Sequence, residues 1–110
     1  MVQLTSFLQD KRLTIALSGE IDHHGAKNAL HNIADKINQF MPTVCVLDFK
    51  GISFMDSSGI AIVIHTYRRM KELGGVLKLK QVPPQPWRVL SAAGIDRIVE
   101  TERRNEVYEV

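Results

Sequence analysis

The sequence holds a single cysteine, Cys45, so no disulfide within the chain can contribute to its fold. Cys45 sits inside the apolar run Val44 to Leu47, a place that predicts a small buried hydrophobe in a protein of a reducing compartment. Excess charge of one sign is also missing. Fourteen basic residues against twelve acidic ones give a formal charge of +2, too little for the electrostatic footprint of non-specific nucleic-acid binding, and no direct nucleic-acid partner is expected. No apolar run approaches the length of a membrane span, and the opening MVQLTSFLQDKR lacks the basic start and unbroken apolar segment of a signal peptide. The expectation is a cytoplasmic chain with no membrane partner. Internal repeats, low-complexity tracts and linkers are absent too, which leaves one domain over residues 1–110.

What is present is ordinary globular composition, 45% hydrophobic and 24% charged. Val2 to Leu8 and Leu13 to Leu17 predict two strands, and the polar break Gln9-Asp10-Lys11-Arg12 is short enough for an antiparallel hairpin. From Ala26 to Met41 the apolar residues Ala26, Leu30, Ile33, Ile37 and Met41 recur at helical spacing, with Asp22 near the start and Pro42 closing the end. Val44 to Leu47 is apolar without alternation, as in a central parallel strand covered on both faces. A second helix is predicted from about Ser57 to Leu73, stopped by Gly74-Gly75, and then a strand from Val76 to Lys80. Pro83, Pro84 and Pro86 open a third helix through Trp87 and Leu90 that Gly94 ends; Ile98-Val99 reads as an edge strand. For the tail from Thr101 to Val110, a last helical turn and a frayed end both remain open. The fold class is α/β, strands alternating with helices after an initial hairpin.

Two segments stand out from this outline. The first is Phe54-Met55-Asp56-Ser57-Ser58-Gly59-Ile60, at a junction between a buried strand and a helix, where functional groups are held rigidly. On a wheel of roughly 100° per residue with Ser58 at zero, Ile60, Val63, Ile64, Tyr67 and Met70 gather opposite the serine as the expected core stripe. Ile62, His65 and Arg69 fall within about 40° of Ser58, so an isoleucine is expected on the solvent face beside the serine. The structural explanation of Asp56-Ser57-Ser58-Gly59 is an N-cap, one short oxygen-bearing side chain accepting from a free backbone N–H. Three candidate caps in a row leave hydroxyls free for another task. Ser57 is the better placed for capping, and Ser58 heads the exposed stripe. A hydrolase elbow needs glycine two residues on either side of the nucleophile, and neither serine has that; His65 lies two helical turns from Ser58, too far to act as its base. Catalysis is not expected.

The second segment is Ser18-Gly19-Glu20-Ile21-Asp22-His23-His24. Adjacent histidines suggest a metal, but consecutive helical residues face different ways and no Cys partner or HExxH arrangement completes a tetrahedral site. No metal is expected. The structural explanation has Asp22 capping the helix, with His23 and His24 as exposed residues of its first turn.

Together, GEIDHH and LDFKGISFMDSSGI resemble the STAS domain over nearly the whole chain, and more closely the anti-sigma-factor antagonists of the sporulation branch than those of general stress. The resemblance implies a mixed, mostly parallel sheet flanked by helices, with Ser58, the second serine of DSSG, as the phosphoacceptor. It implies a phosphoprotein that, when unphosphorylated, binds an anti-sigma-factor serine kinase and so releases the sigma factor for transcription; phosphorylation reverses this, and a separate serine phosphatase restores it. ATP and magnesium belong to that kinase, and no cofactor is implied for this chain. Asp22 and Asp56 match family positions near the phosphorylation site. The implied partner surface joins Asp22, His23 and His24 with Asp56, Ser57, Ser58, Gly59 and Ile62. The segment Glu102 to Val110 is shorter than the family's final helix. The alternative is a STAS docking subunit of a lipid-transport or transporter assembly, which binds a constant partner without switching.

Overall fold

The computed structural model describes residues 2–103. Strands β1 (Val2–Gln9) and β2 (Arg12–Ile21) form the expected antiparallel hairpin. Its two-residue turn puts Asp10 and Lys11 at φ +49° and +65°, the pair of left-handed residues that a type I′ turn requires. Helix α1 (His23–Phe40) starts at its Asp22 cap, three residues before the predicted apolar periodicity, and buries Ala26, Ala29, Ile33 and Ile37. Met41, the last residue of the expected apolar periodicity, is exposed: it is the left-handed C-cap. Strand β3 (Val44–Met55) runs eight residues past the apolar stretch that predicts it; its second half buries only every third residue, Phe49, Ile52 and Met55, where the pairing with β2 shifts register. Helix α2 (Ser58–Glu72), strand β4 (Val76–Val82) and helix α3 (Pro84–Ala92) follow, with Pro84 in the first turn of α3.

Ile98 and Val99 are not a strand. They close a 3₁₀ turn (Ile95–Arg97) that starts at the left-handed Gly94, and the last strand is β5 (Glu100–Arg103). Val99 is buried in the core, where turn geometry serves as well as a strand to hold an apolar side chain. The tail is therefore extended as far as Arg103, and the rest of the expectation for it lies outside the described residues.

The sheet order is β1-β2-β3-β4-β5, β1 antiparallel to β2 and all later pairs parallel. Three crossovers advance the sheet in one direction, and right-handed crossovers of that kind place their helices on the same face. Burial agrees. Leu13, Ile15, Leu17, Cys45, Leu47, Phe49, Leu77 and Leu79 join the buried residues of all three helices in one core. Their alternates Thr14, Ala16, Asp48, Lys78 and Lys80 are half-exposed, and Lys78 pairs with Glu100 across the open face at 3.6 Å. The β3 run is central and buried on both faces as expected: Cys45 and Leu47 lie in the helix-side core, and Val46 is buried on the opposite face outside it. Burial pushes the Cys45 thiol from its ordinary 9.0 up to about 12.

Candidate functional site

Parallel strands with helices on one face bring all their carboxyl ends, and the helix starts that follow, to one end of the sheet. Here the two singled-out segments meet. Glu20 pairs with Phe54 and Ile21 with Met55, and the Asp56 N–H donates to the Ile21 carbonyl at 3.0 Å. GEIDHH and DSSG, about thirty residues apart in sequence, are adjacent loops.

At the start of α1 the Asp22 carboxylate accepts from the Gly25 N–H at 2.7 Å, the N-cap expected of it. That hydrogen bond, with a smaller contribution from His24, holds the Asp22 carboxyl below its usual 3.8. His23 and His24 are exposed in the first turn. Among the described residues no group of three or more His, Cys, Asp or Glu side chains is disposed to hold a metal ion.

At the start of α2 the cap is not the residue expected. Ser57 occupies the cap position with helical φ and ψ, and its side chain makes no capping hydrogen bond. Asp56 does that work instead, its carboxylate accepting from the Ser58 N–H at 2.8 Å, while its carbonyl accepts from Gly59. A helical Ser57 turns its hydroxyl away from the first-turn N–H groups, whereas the aspartate one residue earlier reaches them. Ser57 is exposed and Ser58 half-buried.

Two predicted surface residues are corrected. Gly59 is buried, and a Cβ there would collide with the Met55 side chain, so the glycine permits close packing. Ile62 is 0% exposed and part of the core. The buried side of α2 holds Gly59, Ile62, Val63, Thr66 and Met70, centred about a quarter-turn from Ser58 and not opposite it. The apolar arc of this helix runs from Ile62 round to Ile64, too broad to locate its centre from hydropathy. Packing of α1 decides it: Thr66 is buried there, its hydroxyl donating to the Ile62 carbonyl at 2.7 Å. Ile60, Ile64 and Tyr67 lie half-buried at the margin of the core, and His65 is exposed.

Two residues at this end escaped the sequence reading. Phe54 is 44% exposed beside the loop, a large apolar side chain near the end of β3. Strict alternation from Ile52 puts Phe54 on the buried side, and the register shifts between β2 and β3 in this stretch break that alternation and leave it exposed. Gln85, in the first turn of α3, grips the Met55 backbone with both ends of its amide, Oε1 accepting from the Met55 N–H at 2.9 Å and Nε2 donating to the Met55 carbonyl at 2.8 Å. It completes for Met55 a pairing that β4 does not supply, since the β3–β4 register ends at Asp48 and Lys80. No sequence signal points to it.

This arrangement is that of a known family. The STAS domain model matches residues 6–108, and the chain belongs to that family. Among curated relatives it is 31% identical over 87 residues to the anti-sigma F factor antagonist of Paenibacillus polymyxa, covering 79% of this chain and 74% of the relative. To the anti-sigma-B factor antagonist of Bacillus subtilis (strain 168) it is 25% identical over 95 residues, 86% of this chain and 84% of that one. Among solved structures, the anti-sigma factor antagonist SpoIIAA in its unphosphorylated form superposes with a TM-score of 0.77 at 28% identity, over 92% of this chain and 87% of that chain.

Proposed function

We propose that this chain is an anti-sigma-factor antagonist of the sporulation type, a cytoplasmic regulatory binding protein that works as a switch and not as a catalyst. Its unphosphorylated form binds an anti-sigma-factor serine kinase and frees the sigma factor, and phosphorylation of Ser58 by that kinase ends the interaction until a serine phosphatase reverses it. The observation that carries this reading is the α2 start: Asp56 supplies the cap, so both serine hydroxyls are released from structural duty next to the exposed Asp22-His23-His24 turn. The two antagonist relatives support the class, and the higher identity to the sigma F relative supports the branch.

The partner surface consists of Asp22, His23, His24, Asp56, Ser57 and Ser58, with Phe54 in the apolar role first given to Ile62. Phosphorylation acts there by charge. A phosphoserine brings about −1.5 to −2 charges, and a contact that had accepted a neutral hydroxyl leaves them uncompensated and close to the Asp56 carboxylate. The fold is retained, because negative charge at a helix N-terminus is favourable.

The test is incubation with the cognate kinase and ATP, followed by site-resolved mass spectrometry. One phosphoryl group on Ser58, lost in Ser58→Ala, is expected. Modification of Ser57 with Ser58→Ala still phosphorylated overturns the assignment; a tight kinase complex without any phosphorylation favours the docking alternative.

A further inference from the structure

The two edges of the sheet are built differently. On β5, three of four residues are charged, Glu100, Glu102 and Arg103, which is how natural edges resist pairing with other strands. On β1, eight residues long, there is no charge, proline or register break against β2, and Phe7 and Leu8 are 61% and 42% exposed. No described residue pairs with its outer side. The hairpin fixes which groups point out. In a two-residue turn the closing pair, Gln9 and Arg12, exchanges hydrogen bonds, so Gln9, Phe7, Thr5 and Gln3 turn their N–H and C=O groups to β2. Val2, Leu4, Ser6 and Leu8 turn theirs outward.

We propose that two copies of this chain pair through the outer edges of β1, antiparallel, into one continuous ten-stranded sheet. A two-fold axis at Thr5 sets Val2 opposite Leu8 of the second copy and Leu4 opposite its Ser6, so every outward backbone group is used. The register keeps each side chain on its own face of the sheet. The flank is self-complementary as well. A groove of about 420 Å³ between β1 and α1 carries both Asp35 and Lys36, and the same axis lays the two α1 helices antiparallel beside each other, so that acid and base of one copy meet base and acid of the other. The site end of the sheet stays free, and the pairing is independent of the proposed switch.

Sedimentation velocity from about 5 to about 500 µM tests this, with a concentration-dependent passage from monomer to dimer expected. The double variant S6K/L8K places like charges across the axis and raises the dissociation constant roughly tenfold or more, while both positions are exposed, so its thermal midpoint stays near that of the parent. Amide exchange on the unaltered protein gives a second readout: concentration slows exchange at Leu4, Ser6 and Leu8 and leaves Gln3, Thr5 and Phe7 unchanged. A monomer at every concentration, undiminished dimerisation of S6K/L8K, or protection confined to the other amides overturns the proposal.

Discussion

Helices α1 and α2 both begin at the carboxyl end of a parallel strand and both are started by an aspartate, yet the two starts serve different ends. Asp22 occupies the cap position itself and accepts from the N–H three residues on, so the first turn of α1 is closed by its own cap. Asp56 lies one residue further out and reaches the N–H two residues on. That offset of a single residue inserts Ser57 and then Ser58 at the helix start with their hydroxyls released. Displacing the capping oxygen outward by one position frees the hydroxyls that the proposed switch requires.

The comparison breaks first if the core assignment of α2 is wrong. Ile62→Ala removes a fully buried side chain and is expected to cost about 3 to 4 kcal/mol in thermal or denaturant unfolding, much like Ile33→Ala on α1. A near-zero cost would return Ile62 to the surface. Next, phosphorylation of Ser58 is expected to weaken kinase binding by about 3 kcal/mol, roughly two orders of magnitude in calorimetric titration, with Ser58→Asp reproducing part of it. Equal affinities would leave the start of α2 without a switching role. Asp56→Ala should then cost about 1 kcal/mol of stability while Ser57→Ala costs less than about 0.5, the reverse of what a serine cap requires. The smallest effect is at Asp22. Its carboxyl is lowered in the folded state, so its stabilising contribution is present above the ordinary 3.8 and is lost as pH falls through the lowered value. Asp22→Asn should flatten the acid side of the stability profile, measured by chemical denaturation below neutral pH; an unchanged profile would mean that the cap contributes nothing.

Much of the fold was legible because it is written locally. The Asp10-Lys11 hairpin, the Asp22 cap, Pro84 at the start of α3 and the left-handed Gly94 near its end are each fixed by a few neighbouring residues. The candidate site was legible as two loops, since strand-to-helix junctions collect at one end of a parallel sheet. What was not legible depends on contacts between distant segments. Which side of α2 is buried is settled by α1, and the grip of Gln85 on Met55 joins residues thirty positions apart. The error at β5 has another source: Ile98-Val99 has the hydropathy of a strand, and only the 3₁₀ turn at Ile95 shows that a buried valine can enter the core without one.

Gln85 also bears on what kind of object the proposed kinase would meet. The backbone ahead of Ser58 is suspended from Ile21 on one side and from Gln85 on the other, with Met55 wedged under Gly59. Most segments that kinases modify are slack enough to be drawn into the enzyme as extended peptide, and this one is bolted to three elements of a folded body. On the proposed function, the serine is offered as part of a sculpted relief, legible only to an enzyme shaped to the whole contour. A free peptide spanning Phe54 to Ile60 carries the same letters and none of the relief.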